Sequence, residues 1–282
     1  MSLLQEQLFE LLTRTSSDLP EDVETALRRA CSIEQEDSSS RAALGTILAN
    51  VRLAREKRQP ICQDTGTIHF FVEAAPGLSQ EDFRLAAEQA IIQATELGIL
   101  RQNCVETLSG HNTGNNLGYL NPTLHWKHSG SGRSLVTLML KGGGCENMGC
   151  QYSLPDSTLQ AGRDLEGVRR CVLDAVWKIQ GQGCAPGILG VAIGGDRAGG
   201  YEESKMQLLR KIGERSPVPA LGALEERLKL ECNQLGIGTM GFGGNTTVLD
   251  VFLGTRCRLP ASYFVSISYM CWCCRRQSTF LT

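Results

Sequence analysis

The sequence predicts a mixed α/β (α+β) fold, a helical N-terminal region packed with a mixed sheet. Two observations lead there. Residues 2–58 place apolar side chains at three- and four-residue intervals, the helical period. After Pro60, short alternating or continuous apolar runs bounded by glycine and proline take over, with further helical stretches between them.

The elements follow in order. Leu3, Leu4, Leu8, Leu11 and Leu12 give the first helix one apolar face. A second is expected from Pro20, where proline suits a first turn and Glu21 and Asp22 sit near the positive end of the helix dipole. A third, over residues 40–58, carries Ala43, Leu44, Ile47, Leu48, Val51 and Leu53 to the core. Its end delivers the turn Ile61-Cys62-Gln63-Asp64-Thr65-Gly66, in which a soft metal ligand stands two residues from a carboxylate and Gly66 keeps the chain tight. Ile68, Phe70 and Val72 then alternate with Thr67, His69 and Phe71, as in a strand with one face well buried. Pro76-Gly77 ends it. Ser79 with Asp82 resembles a capping box, and the helix it opens should run to Gly98.

Residues 100–120 form a polar loop holding Arg101, Asn103, His111, Asn112, Asn115 and Asn116, and loops of this length in compact domains are often functional. Strands are expected at 123–128 and 134–141. The second ends in Lys141-Gly142-Gly143-Gly144-Cys145-Glu146-Asn147, readable as a flexible turn or as backbone amides offered to an anion. A helix over 164–180, a buried strand over 187–195, helices over 203–212 and 220–235, and strands over 246–253 and 262–269 complete the series, with residues 277–282 as a loose tail. No repeat and no linker divides the chain. Residues 1–276 are expected to form one domain, or two intimately packed lobes, with the helical part at about 1–60.

Composition narrows the function. The 282 residues are 41% hydrophobic and 21% charged, enough for a large core. A net charge of −2 supplies no basic footprint, so no nucleic-acid partner is expected. Neither an export signal nor a membrane-length apolar run is present, so twelve cysteines point to reduced thiols in the cytoplasm and to metal rather than to disulfides.

Gly236-Ile237-Gly238-Thr239-Met240-Gly241 matches the dinucleotide fingerprint, but it follows a helix and leads into β-branched residues, the reverse of what that fingerprint needs. The close cysteine groups lack zinc-ribbon spacing, and the four histidines are scattered and read as structural. Cys104 and Cys145 sit in polar loops without a paired histidine, while Cys31 and Cys171 read as small buried hydrophobes. Cys62, Cys184 and Cys271 each stand at the end of an element beside a turn. They are either structural or the holders of three irons of a cubane cluster.

The combination of Cys62-Gln63-Asp64-Thr65-Gly66, Leu100-Arg101, Asn112-Thr113-Gly114-Asn115-Asn116, Lys141-Gly142-Gly143-Gly144, Cys184-Ala185-Pro186 and Gly243-Gly244-Asn245-Thr246-Thr247, in that order, resembles the α subunit of the class I, iron-sulfur fumarase and L(+)-tartrate dehydratase family. The resemblance implies that Cys62, Cys184 and Cys271 hold a 4Fe-4S cluster whose fourth iron binds substrate. It implies a catalytic Asp64 assisting proton transfer, with Gln63, Arg101 and Gly144 as substrate-binding positions. The implied reaction is reversible hydration of a four-carbon dicarboxylate, fumarate and malate first, tartrate and oxaloacetate next. A separate β subunit, in an α2β2 assembly, is implied to supply the remaining residues. Leu259 stands where that family has a histidine, and Cys273 and Cys274 are alternatives to Cys271. A non-catalytic iron-sulfur sensor or regulatory subunit is the rival expectation.

Overall fold

The computed structural model describes residues 2–281. Its helices are α1 (Leu3–Ser17), α2 (Glu21–Ile33), α3 (Ser39–Lys57), α4 (Gln80–Glu96), α5 (Gly143–Asn147), α6 (Leu165–Ile179), α7 (Arg197–Gln207) and α8 (Pro219–Gln234). Its strands are β1 (Thr67–Ala74), β2 (Thr123–His128), β3 (Leu135–Lys141), β4 (Cys150–Ser153), β5 (Gly187–Gly194), β6 (Val248–Arg256), β7 (Phe264–Met270) and β8 (Arg275–Phe280). The fold is mixed α/β, as the periodicities predict. The chain divides into two compact units. The first gathers the described residues up to Pro20, Ala49–Gly143 and those from Cys273 on; the second comprises Glu21–Leu48 and Gly144–Trp272.

The first unit is built on a sheet of order β2-β1-β3-β8, in which β1 runs parallel to β2 and antiparallel to β3. Ile68, Phe70 and Val72 on β1, with Val136, Leu138 and Leu140 on β3, meet Leu8, Leu11 and Leu12 of α1 and Phe83, Ala87 and Ile91 of α4. Phe83 sets its edge against the Phe70 ring at 5.5 Å between centroids. Burying each of the larger of these side chains stabilises the fold by roughly 1.5–3 kcal/mol. Both helices start where their sequences say: Ser2 accepts from the Gln5 amide and Ser79 from the Asp82 amide, each at 3.2 Å.

The second unit is built on a sheet of order β4-β7-β5-β6, with β5 parallel to β6 and antiparallel to β7. Every residue of β5 is buried, as its unbroken apolar run requires. Val168, Val172 and Val176 of α6 and Leu224 and Leu228 of α8 cover Leu189 and Val191 on one side. On the other side α7 lies so close that a Cβ at Gly190 would stand 2.0 Å from the Ser204 carbonyl oxygen.

Several boundaries depart from expectation. β1 is buried on both faces from Ile68 to Val72, not one, because His69 and Phe71 are covered too. α7 begins six residues before the expected start at 203, capped by Asp196, whose carboxylate accepts from the Gly199 amide at 2.6 Å. Gly199 and Gly200 hide its first turns in the sequence; Gly200 is there because a Cβ would meet Ser266 Oγ at 2.3 Å. β4 is too short for a periodic signal, and residues 143–147, readable as a flexible turn or as backbone amides offered to an anion, coil into α5. Leu53, expected in the core, is 45% exposed. Residues 277–280 are not a loose tail. They pair with β3 along its outer edge, Gln277 against Leu138 and Ser278 against Thr137, and backbone pairing of this kind leaves no apolar pattern to read. Thr282, the end of the expected tail, lies outside the described residues.

Candidate functional site

In the first unit, the turn after α3 is tied down before it reaches Cys62: the Ile61 amide donates to Ser16 O at 3.0 Å and Asn50 Nδ2 to Ile61 O at 2.9 Å. Cys62 is half-buried and its Sγ accepts from the Asp64 amide at 3.4 Å. The Cys273 thiol donates to Cys62, and with the nearby Arg275 guanidinium it lowers the Cys62 pKa to about 6 against the effect of burial. Cys273, buried and facing that thiolate, is pushed the other way, well above the usual thiol range. The lowered value favours the Cys62 thiolate, the form that binds iron.

Gly66 closes the turn at φ +77°, and a Cβ there would lie 2.5 Å from the Lys141 carbonyl. That close approach brings Asp64 to the end of β3. Asp64 Oδ1 accepts from the Gly66 amide at 2.8 Å and from Asn103 Nδ2 at 2.5 Å, and Oδ2 accepts from the Gly143 amide at 2.7 Å. Arg275, 2% exposed, donates to the Asp64 carbonyl at 2.7 Å. Thr65 Oγ1 donates to the Arg101 carbonyl at 2.7 Å, while the Arg101 and Gln63 side chains are exposed. Four predicted residues, Cys62, Gln63, Asp64 and Arg101, thus come together in one unit.

Gly144, Cys184 and Cys271 belong to the second unit. Gly144 is exposed on α5, where Lys205 pairs with Glu146 at 2.7 Å. Cys184 is exposed at φ +52°, its carbonyl accepting from the Trp272 amide at 3.4 Å, and the Met240 amide holds the next carbonyl, Ala185 O, at 2.9 Å. The glycines of the failed dinucleotide fingerprint therefore shape the loop that supports the Cys184 turn. Cys271 is half-buried and its amide donates to Cys145 Sγ at 3.3 Å. The Tyr269 phenol is raised well above its usual range, first by burial and then by Cys271, Cys145 and Cys184 around it.

Sequence reasoning misses several of these residues. Asn103 reads only as part of a polar loop, although its place two residues after Arg101 is a signal. Cys145, read as a loop thiol, is buried on α5 beside Cys271, and Cys31, read as buried, is only half so. His69 and His125, read as scattered, stand with ring nitrogens 3.2 Å apart on neighbouring strands. Leu259 is 76% exposed and lines a cleft of about 520 Å³ with Asp196, Cys257 and Phe264.

Among the described residues the cysteines form no disulfide, and no three Cys, His, Asp or Glu side chains converge on a single metal ion. A cluster needs no such convergence, since each thiolate binds its own iron. A Cys62 thiolate, an exposed Cys184 and a half-buried Cys271 fit that donor chemistry.

The chain is 44% identical to a putative class I fumarate hydratase of Geobacillus stearothermophilus over 279 residues, 98% of this chain but only 54% of that relative. It is 33% identical to a putative L(+)-tartrate dehydratase α subunit of Methanocaldococcus jannaschii, covering 97% of this chain and 95% of the relative. The Escherichia coli K12 L(+)-tartrate dehydratase α subunit is 32% identical, with 93% and 85% covered. The chain thus spans about half of one relative and nearly all of the others. The family described as Fumarate hydratase (Fumerase) matches residues 5–279, and this chain belongs to it.

Proposed function

We propose that this chain is the α subunit of an iron-sulfur hydro-lyase that reversibly adds water to a four-carbon dicarboxylate, fumarate and malate first, tartrate and oxaloacetate next. The observation that carries it is the first-unit cluster in which one turn presents Cys62 and Asp64 and is bonded through Thr65 to the backbone of Arg101. Cys62, Cys184 and Cys271 are the residues that would hold a 4Fe-4S cluster. When bound, it supplies a Lewis acid that makes hydroxide a better leaving group.

The chain's own residues supply the rest. The Arg101 guanidinium pairs with a substrate carboxylate, in the bidentate manner that suits a planar anion. Gln63, next to Asp64 in the turn, hydrogen-bonds the substrate, and Gly144 offers it backbone. Asp64 assists proton transfer at Oδ2, which bears one donor where Oδ1 bears two. A separate β subunit in an α2β2 assembly would complete the charge on the second carboxylate and carry the remaining base. The names of the relatives as α subunits support such a partner. A reducing cytoplasm suits twelve cysteines with no disulfide among the described residues, and no described helix is long and apolar enough to cross a membrane.

Co-expression with the neighbouring reading frame, anaerobic reconstitution with iron and sulfide, and assay on fumarate, L-malate and L-tartrate test the reading. A cubane signal by paramagnetic resonance with turnover of one diacid is the expected result; zinc alone and no turnover would sink it. Leu259, in the position where the resemblance calls for histidine, favours the rival reading of a non-catalytic iron-sulfur sensor. A reconstituted cluster without turnover of any diacid would select it.

A further inference from the structure

We propose that Asn103 is a positioning residue for the Asp64 carboxylate, reaching it from the loop that carries Arg101; the inference rests on the hydro-lyase reading. An exposed asparagine in a polar loop is ordinarily a solvated side chain. This one is aimed. Its Nδ2 donates to Asp64 Oδ1 at 2.5 Å, and the Gly66 amide donates to the same oxygen at 2.8 Å. Oδ2 receives one donor, the Gly143 amide, at 2.7 Å. A carboxylate has about four lone-pair directions, two on each oxygen. Oδ1 is therefore saturated, and Oδ2 keeps one direction for chemistry. Asn103 is what makes the two oxygens unequal: without it each would carry a single donor and the carboxylate would lose one of its three anchors.

The delivery of Asn103 is built into the fold. Asn116, 2% exposed and at φ +60°, uses its whole amide on the segment: Oδ1 accepts from the Asn103 amide at 2.8 Å and the Cys104 amide at 3.2 Å. Its Nδ2 donates to Arg101 O at 2.9 Å and to Thr95 Oγ1 at 3.0 Å. Four bonds are the full capacity of a primary amide. Asn112 Nδ2 holds Gln102 O at 3.2 Å, and the Thr113 amide holds Cys104 O at 2.9 Å. Residues 101–104 lack regular secondary structure, yet each has a backbone group tied by the asparagine-rich stretch that follows. Little conformational freedom remains for the side chain of Asn103 to lose when it meets Asp64.

The test uses the reconstituted complex with its β subunit. Asn103→Ala should lower kcat about 10- to 100-fold, the size of effect expected from a misplaced catalytic group. KM for L-malate should stay within about twofold of wild type and the cluster signal should be intact. Asn103→Asp, isosteric and exposed, replaces the donor with an oxygen facing Oδ1 and should fall further. Hydrogen exchange read by mass spectrometry on the same complex asks the question without turnover: peptides covering 62–66 and 141–145 should exchange faster in Asn103→Ala. A wild-type kcat in either variant, a loss confined to KM, or unchanged exchange in those peptides overturns the proposal. If the wild-type complex turns over no four-carbon diacid, the hydro-lyase reading fails while the exchange comparison still decides the role of Asn103.

Discussion

Thr65 Oγ1 donates to the backbone carbonyl of Arg101 at 2.7 Å, joining a turn next to the proposed metal ligand to the loop that carries the proposed carboxylate-binding arginine. The hydroxyl is buried with Thr65 at 2% exposure, and Asn116 Nδ2 shares the same acceptor at 2.9 Å. Thr65→Val keeps the shape and removes the bond. Because the carbonyl keeps its second donor, the cost should be near that of one ordinary hydrogen bond, about 1 kcal/mol. A calorimetric melt should fall by about 2–4 °C, and KM for the diacid should rise more than kcat falls.

Asp64→Asn should leave the cluster signal in place and reduce turnover by about 10²–10⁴-fold, the range for a group in the proton path. The amide cannot accept at both ends, so at least one of the bonds from Gly66, Asn103 and Gly143 is lost as well. Steady-state rates set beside the paramagnetic signal separate this outcome from loss of the cluster.

Cys184→Ser should abolish the cluster, whereas Cys171→Ser should spare it, since Cys171 is fully buried against the α6 and β5 core. Iron and sulfide counts after anaerobic reconstitution decide between them. Equal loss in both variants would remove Cys184 from the ligand set.

Burial pushes the thiols of Cys171 and Cys232 up to about 12. At pH 8 their thiolate fraction is about 10⁻⁴, so iodoacetamide should leave both unmodified in the native chain while the exposed Cys257 reacts, as peptide mass spectrometry would show. These are raised folded-state values. The stability they contribute is fully present below the unfolded thiol pKa near 9 and is lost as pH rises toward 12. Melting temperatures should therefore drop on the alkaline side of pH 9.

Two glycines should answer oppositely to alanine. Gly45 lies within α3, and a Cβ added there meets nothing within 4 Å, so Gly45→Ala should stabilise by about 0.5–1 kcal/mol. Gly66→Ala adds left-handed strain and a 2.5 Å clash with the Lys141 backbone, and should cost at least about 2–3 kcal/mol. Denaturant midpoints of the two variants check both signs.

The amino-acid order by itself determined the mixed α/β class, the helices whose apolar residues recur at 3.6, and the turn that sets Cys62 beside Asp64, because these are local matters of period, capping and spacing. It could not show where α7 begins, behind its glycines, nor β8, since a helix start packed at van der Waals distance on a sheet and a strand paired along an edge are defined by their neighbours rather than by their own pattern. The same limit holds at the site. Asn103 looks like any loop asparagine until Asp64 is seen 2.5 Å away, 39 residues earlier in the chain. Cys273 looks like a spare ligand until its thiol is found lowering the pKa of Cys62. Hydrogen bonds and charge act over a few ångströms of space, and only the folded chain decides which residues share them.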